Sequence, residues 1–136
     1  MSIHLGRALG AVVILALVAP AAAQAQDMKK DMKMMTPASH EATITGIVVD
    51  VSCKFGQGLT GADHRMCAQV CADKGLPLAI LGNDGKLYLP TSNLMPGDPQ
   101  NARLKEFAEQ KVTVKGKVFA AGGAQAIQIA TVAAAK

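Results

Sequence analysis

The feature that most constrains the fold is a set of segments with the two-residue alternation of β-strands. Residues 42–51 read ATITGIVVDV and are rich in β-branched side chains. Residues 111–119 and 125–132 alternate again, and two glycines separate them. Successive side chains of a strand point to opposite faces, so this period predicts three strands. Gly46 within the first segment indicates a bulge or a bend.

Shorter segments complete the predicted order of elements. Residues 78–81 form a short apolar segment, and residues 86–89 are predicted to pair with it. The two segments flank Asn83-Asp84-Gly85, which is typical of a hairpin turn. Residues 62–74 predict a helix that ends at Gly75, and we expect Met66, Val70 and the two cysteines to form its apolar, core-facing side. Residues 101–110 predict a second helix. We interpret residues 52–61 as a glycine-containing loop.

The predicted order is strand, inserted helix, strand, strand, helix, strand, strand. Without the insertion, five strands remain, with a helix between the third and the fourth. This is the element order of the OB-fold, a five-stranded Greek-key barrel. We therefore predict a mainly β protein: an OB-like five-stranded β-barrel with two short helices, one of them in a Cys-bearing insertion between strands 1 and 2. An open α+β sheet with two helices would produce a similar order.

The N-terminal region has the pattern of an export signal. Arg7 precedes an apolar run from Ala8 to Ala19, and Ala23-Gln24-Ala25 has the small-x-small pattern of a cleavage site. We predict a signal peptide at residues 1–25 and a periplasmic or secreted mature chain. The apolar run is short for a membrane span, so we expect no stable membrane insertion after cleavage. Export favours disulfide formation.

Residues 26–41 predict a disordered linker, followed by one domain at residues 42–136. The linker is polar and contains four methionines: Met28, Met32, Met34 and Met35. Thioether sulfur is a soft ligand suited to Cu(I), but no other donor is interleaved with these residues. We favour a soluble spacer in which the methionines are incidental.

Charge and motifs narrow the functional classes. The chain has 14 basic and 10 acidic residues, and this mild excess does not by itself indicate nucleic acid as a partner. The predicted binding loops lack the aromatic residues on which bases would stack. The sequence contains no phosphate-binding glycine loop and none of the hydrolase motifs G-x-S-x-G and H-E-x-x-H. We therefore predict a non-enzymatic binding protein.

Three cysteines and one histidine form the strongest functional signal. Cys53 lies at the end of the first predicted strand, and His64, Cys67 and Cys71 follow on the inserted helix. Their spacing places the helical three within roughly 60° of arc on one face. Three thiolates and an imidazole suit a thiophilic metal, copper or zinc. We expect Asp50 to orient His64 as a hydrogen-bond acceptor.

The same residues allow two other interpretations. A disulfide from Cys53 to Cys67 or to Cys71 would link the helix to the barrel and leave one thiol, with His64 an ordinary solvated residue. Alternatively, a helix cysteine activated by His64 could exchange with Cys53 in a thiol-redox reaction. The sequence has no C-x-x-C motif, which makes the redox interpretation weaker than the other two.

The chain resembles small exported bacterial proteins of unknown function. The resemblance is carried by G-I-V-V-D-V-S-C, by D-H-R-M-C-A-Q-V-C-A-D-K-G-L-P-L, by D-G-K-L-Y and by K-V-T-V-K-G-K-V. It implies matching positions at Asp50, Cys53, His64, Cys67, Cys71, Gly75 and Pro77. The resemblance implies the fold and the site but no reaction.

We therefore predict an exported metal-binding protein whose partner is a metal ion or another exported protein. The alternative is a disulfide-linked interaction module without metal, whose partner would bind the barrel surface.

Overall fold

The computed structural model describes residues 37–136. The predicted signal peptide, the four linker methionines and most of the linker lie outside the described residues. No helix within residues 37–136 is long and apolar enough to cross a membrane.

Five strands form a closed barrel, in the order β1-β2-β3-β5-β4 around its circumference. β1 pairs antiparallel with both β2 and β4, while β3 and β5 pair in parallel. This architecture confirms the predicted OB-like barrel. The strands are β1 Ser39–Asp50, β2 Leu78–Gly82, β3 Leu87–Pro90, β4 Lys111–Ala121 and β5 Ala124–Ala134.

The described chain has three short α-helices rather than the two that were predicted. They are α1 Val51–Gln57, α2 Arg65–Asp73 and α3 Asn101–Leu104. Single 3-10 turns, Ala62–His64 and Lys105–Phe107, precede α2 and follow α3.

The prediction of a loop at residues 52–61 was wrong, because α1 occupies its first part. The Asp50 side chain accepts a hydrogen bond from the Cys53 backbone N–H and so caps the helix. Gly58 ends the helix in the left-handed conformation at φ 69°. Both capping residues are visible in the sequence, but the three glycines between Phe55 and Ala62 favoured a loop.

β1 is shared between two neighbours. Its residues 39–47 pair with β4 and its residues 46–50 pair with β2, so Gly46 lies where both ladders meet. A β-carbon at Gly46 would overlap the Leu81 carbonyl. The register shift lies in the β4–β5 ladder, where Lys115 and Gly116 are opposite Thr131 and Ile129, and not at Gly46.

The core is mainly aliphatic, in keeping with a sequence that has one tyrosine, three phenylalanines and no tryptophan. Barrel strands supply most of it, and α2 and α3 contribute one residue each. The core members are Val48, Ala72, Leu78, Ile80, Tyr88, Leu104, Val112, Val114, Val118, Ile127 and Ile129.

The helical insertion leaves and re-enters the barrel at one place. Asp50, the last residue of β1, lies opposite Leu78, the first residue of β2. The Val51 N–H donates to the Pro77 carbonyl at 3.1 Å. Residues 51–77 are therefore closed at their base by the same ladder that forms the barrel wall.

Polar contacts fix α2 against the segment that contains α3. Arg65 and Gln69 donate to the backbone carbonyls of residues 106 and 105, at 2.7 and 3.2 Å. Asp73, a further turn along, pairs with Lys105. Because these α2 residues are spaced by four, one face of the helix is turned toward α3. The cysteines lie on a different face.

The buried side of α2 differs from the prediction. Ala68 and Ala72 are buried, whereas Met66 and Val70, expected to face the core, are exposed. The small alanines allow α2 to approach the barrel closely. The predicted end of the helix is confirmed: Gly75 at φ 90° follows its last turn. Its N–H bonds the Ala72 carbonyl and the next N–H bonds the Cys71 carbonyl, both at 3.0 Å, which is a Schellman motif.

Tyr88 is buried in the core and hydrogen-bonded at its polar end. Its hydroxyl donates to Asp84 Oδ2 at 2.8 Å, in the turn between β2 and β3. Burial, followed by this contact, raises the pKa of Tyr88 to about 12. The same hydrogen bond and the Lys86 N–H lower the pKa of Asp84.

Tyr88 is the only tyrosine, so its ionisation can be followed by absorbance at 295 nm. We expect a midpoint near 12 in the folded protein and near the ordinary value of about 10 in urea. Because the folded-state pKa of Tyr88 is raised, its contribution to the free energy of unfolding is fully present below about pH 10. That contribution is lost as the pH rises toward 12. Asp84→Asn should lower the native midpoint, and Asp98→Asn, at an exposed site, should not. Ionisation of folded wild type near pH 10 would contradict the assignment.

Gly116→Ala should destabilise the barrel, because the new β-carbon would overlap the Gln128 carbonyl across the β4–β5 ladder. We expect a loss of about 1–3 kcal/mol in the free energy of unfolding by urea. Gly56→Ala is the matched control, since nothing lies within 4 Å of its β-carbon and the residue is in a helix. This control should be neutral or slightly stabilising. Equal stabilities for the two variants would show that the close approach at Gly116 is unimportant.

Candidate metal centre

Cys53 lies in the first turn of α1 and is buried, with 7 % of its surface exposed. The prediction placed it at the end of a strand. The structure instead continues the chain from Asp50 directly into α1, so the thiol is held by a capped helix. Capping of its N–H by Asp50 at 3.1 Å ties the position of Cys53 to the end of β1.

The helical donors belong to one continuous segment. His64 ends the 3-10 turn and is buried, Cys67 is exposed and Cys71 is half-buried. The interpretation of His64 as a solvated helix residue was wrong, since only 8 % of it is exposed.

Cys53, His64 and Cys67 form a compact group, in which one donor atom from each residue lies within 4.8 Å of the others. A metal bound about 2.3 Å from a sulfur separates two such donors by about 3.8 Å in a tetrahedral arrangement and 4.6 Å in a linear one. The group is therefore close to the size that a metal ion needs. It could hold a metal ion with little movement of the side chains.

The orientation of His64 is set by Glu109. The imidazole Nδ1 lies 3.1 Å from Glu109 Oε1, and the Glu109 side chain is fully buried. Because a carboxylate accepts, Nδ1 carries a proton, and in the neutral imidazole Nε2 is then the nitrogen with the free lone pair. Nε2 is buried and has no hydrogen-bond partner within the described residues. An unpartnered buried nitrogen is costly, and a metal ion would satisfy it.

Glu109 was missed by sequence reasoning. It lies just before β4 in the left-handed region at φ 59°, which is uncommon for a residue other than glycine. Its Oε2 accepts from the Gly61 N–H at 2.8 Å and from the Thr60 hydroxyl at 2.9 Å. Glu109 thus links the barrel to the start of the helical segment that carries His64. Nothing in the local sequence indicates this long-range role.

The prediction that Asp50 orients His64 was wrong, because Glu109 does so. Asp50 belongs to a second group with Cys53 and Cys71, whose donor atoms also lie within 4.8 Å of one another. Cys53 is common to both groups. The predicted set of four donors is therefore divided: Cys71 groups with Asp50 and Cys53, whereas His64 and Cys67 group with Cys53.

The surroundings of the thiols keep two of them protonated. The facing Asp50 carboxylate, followed by burial, raises the pKa of Cys71 to about 12. Burial, followed by the neighbouring Asp50 carboxylate, raises the pKa of Cys53. Burial acts to raise the pKa of Asp50 itself, but the Cys53 N–H and the thiols outweigh it and the net shift is downward. Metal binding at these sulfurs would therefore release protons.

The cysteines form no disulfide in the structure. All three lie within the described residues and are free thiols. The predicted alternative of a disulfide that links the helix to the barrel is thus not what the structure contains.

Comparison with known proteins adds no assignment: no family model, no curated protein and no solved structure matches the chain.

Proposed function

We propose that this chain is an exported, non-enzymatic protein that binds a thiophilic metal ion, copper or zinc, through Cys53, His64 and Cys67. The observation that carries the proposal is the buried, unpartnered Nε2 of His64, a residue whose ring groups with two thiols. Soft thiolates with an imidazole are donors suited to both metals.

The arrangement around His64 supports this function. In protein metal sites, a ligating histidine commonly donates its other ring N–H to a carboxylate, which fixes the tautomer and the ring orientation. Glu109 occupies this position at 3.1 Å, and its own second oxygen is held by Thr60 and Gly61. The ring is therefore oriented before any metal arrives.

The exposure of Cys67 gives an ion a route to the site. Cys53 and His64 are buried, whereas Cys67 is open to solvent. An ion would meet the exposed thiol first and then the two buried donors. Such a half-open site suits a protein that takes up and delivers a metal better than one that holds a purely structural ion.

A thiol-redox function is less well supported. Reactive cysteines have a lowered pKa, which makes the thiolate abundant near neutral pH. The pKa values of Cys53 and Cys71 are instead raised, by burial and by Asp50. These two thiols would be poor nucleophiles in a metal-free protein.

Elemental analysis of the protein purified from its native compartment, combined with thiol titration after unfolding, tests the proposal. We expect stoichiometric copper or zinc and three titratable thiols. His64→Gln should weaken binding in a competition assay with a chromophoric chelator, because the unpartnered Nε2 is removed. His40→Gln, on the exposed start of β1, is the matched control and should bind as wild type does. A protein with no metal and one titratable thiol would overturn the proposal.

Glu109→Gln tests the orienting contact separately. The amide cannot act as a charged acceptor for the His64 N–H, so we expect metal affinity to fall by about 10- to 100-fold. Glu106→Gln is the control, since Glu106 is exposed and its side chain makes no hydrogen bond within the described residues. Thermal unfolding of both metal-free variants separates loss of binding from loss of fold. Unchanged affinity in a folded Glu109→Gln protein would remove Glu109 from the site.

A further inference from the structure

We propose that Asp50, Cys53 and Cys71 form a second metal position, so that the insertion holds two Cu(I) ions that share the Cys53 thiolate as a bridge. This inference rests on the proposed function and names the ion and the stoichiometry. It assigns a role to Asp50 and Cys71, which the first position does not use.

The geometry of the two groups carries the inference. Each group of three donors lies within 4.8 Å, and Cys53 is the one member of both. The second group has two thiols, and the limit of 4.8 Å on their separation is compatible with the span of about 4.6 Å for an ion bound between two sulfurs in line. A thiolate has several lone pairs and can bind two soft ions at once. The two positions therefore adjoin at the Cys53 sulfur.

The group of Asp50, Cys53 and Cys71 also contains a buried polar atom without a hydrogen-bond partner. Asp50 is 1 % exposed, and its Oδ1 is occupied by the Cys53 N–H. Its Oδ2 is buried and has no hydrogen-bond partner within the described residues. Buried side-chain oxygens are nearly always paired, so this one needs an explanation. Each of the two groups thus contains one buried polar atom without a partner: Asp50 Oδ2 in one and His64 Nε2 in the other.

Charge and ligand number favour Cu(I) over a pair of divalent ions. At equal separation, the repulsion between two divalent ions is about fourfold that between two monovalent ions. Zinc takes four ligands in closed sites, whereas each group offers three, one of them shared. Cu(I) is stable with two or three soft donors, which thiolates supply. The Asp50 carboxylate balances charge at the second position.

The test is an anaerobic titration of the reduced protein with Cu(I), in competition with a chromophoric chelator, with native mass spectrometry to count bound ions. We expect two tightly bound ions in wild type and one in Cys71→Ser. Asp50→Asn retains a good helix cap and should weaken the second ion only. Asp63→Asn, at an exposed carboxylate of the insertion, is the matched control and should bind two ions. All variants keep the linker methionines, so differences between variants report on the insertion.

A bridged pair has a further signature that a merely structural role of Cys71 would not produce. X-ray absorption of the loaded wild type should contain a copper–copper scattering shell, and Cys71→Ser should abolish it. One ion in both wild type and Cys71→Ser would overturn the shared-thiolate inference while leaving the proposed function intact. No bound ion in wild type would overturn the proposed function itself. Two ions in wild type without copper–copper scattering would exclude the bridge.

Discussion

The candidate site depends on the Asp50 side chain at the end of β1. Asp50 lies opposite Leu78 in the β1–β2 ladder, so its backbone belongs to the barrel wall. Its carboxylate caps α1 through the Cys53 N–H and faces the Cys71 thiol. Asp50 therefore fixes the start of the insertion and the position of Cys53. It also raises the pKa of the Cys71 thiol.

Glu109 supplies the complementary constraint from the other side of the insertion. Its backbone N–H donates to the Val48 carbonyl at 2.8 Å, which anchors it to β1. Its buried carboxylate then holds Thr60, Gly61 and His64. The imidazole is thus positioned by the barrel rather than by its own helix. A site built this way is oriented in advance, which lowers the cost of ordering its ligands.

The five strands were predictable because each has a strong local pattern. The alternation in residues 111–119 and the Asp84-Gly85 turn both depend on near neighbours, and the barrel contains both. Gly75 ended α2 as predicted, since a left-handed residue is needed there whatever the fold. The helix α1 was missed because a short helix depends on its cap and its packing more than on propensity. The expectation for Met66 and Val70 was wrong, because α2 packs against the barrel through Ala68 and Ala72 and leaves the two larger side chains exposed.

By itself, the sequence determined the barrel class, the position of the insertion and the identity of the sulfur and imidazole donors. These follow from local period and from residue chemistry. Only the tertiary structure decided how the donors divide into two groups around Cys53, and that Glu109 rather than Asp50 orients His64. The reason is distance along the chain: Glu109 lies 45 residues from His64 and reaches it only because the barrel closes. Contacts of that kind depend on the packing of whole elements, which local pattern does not encode.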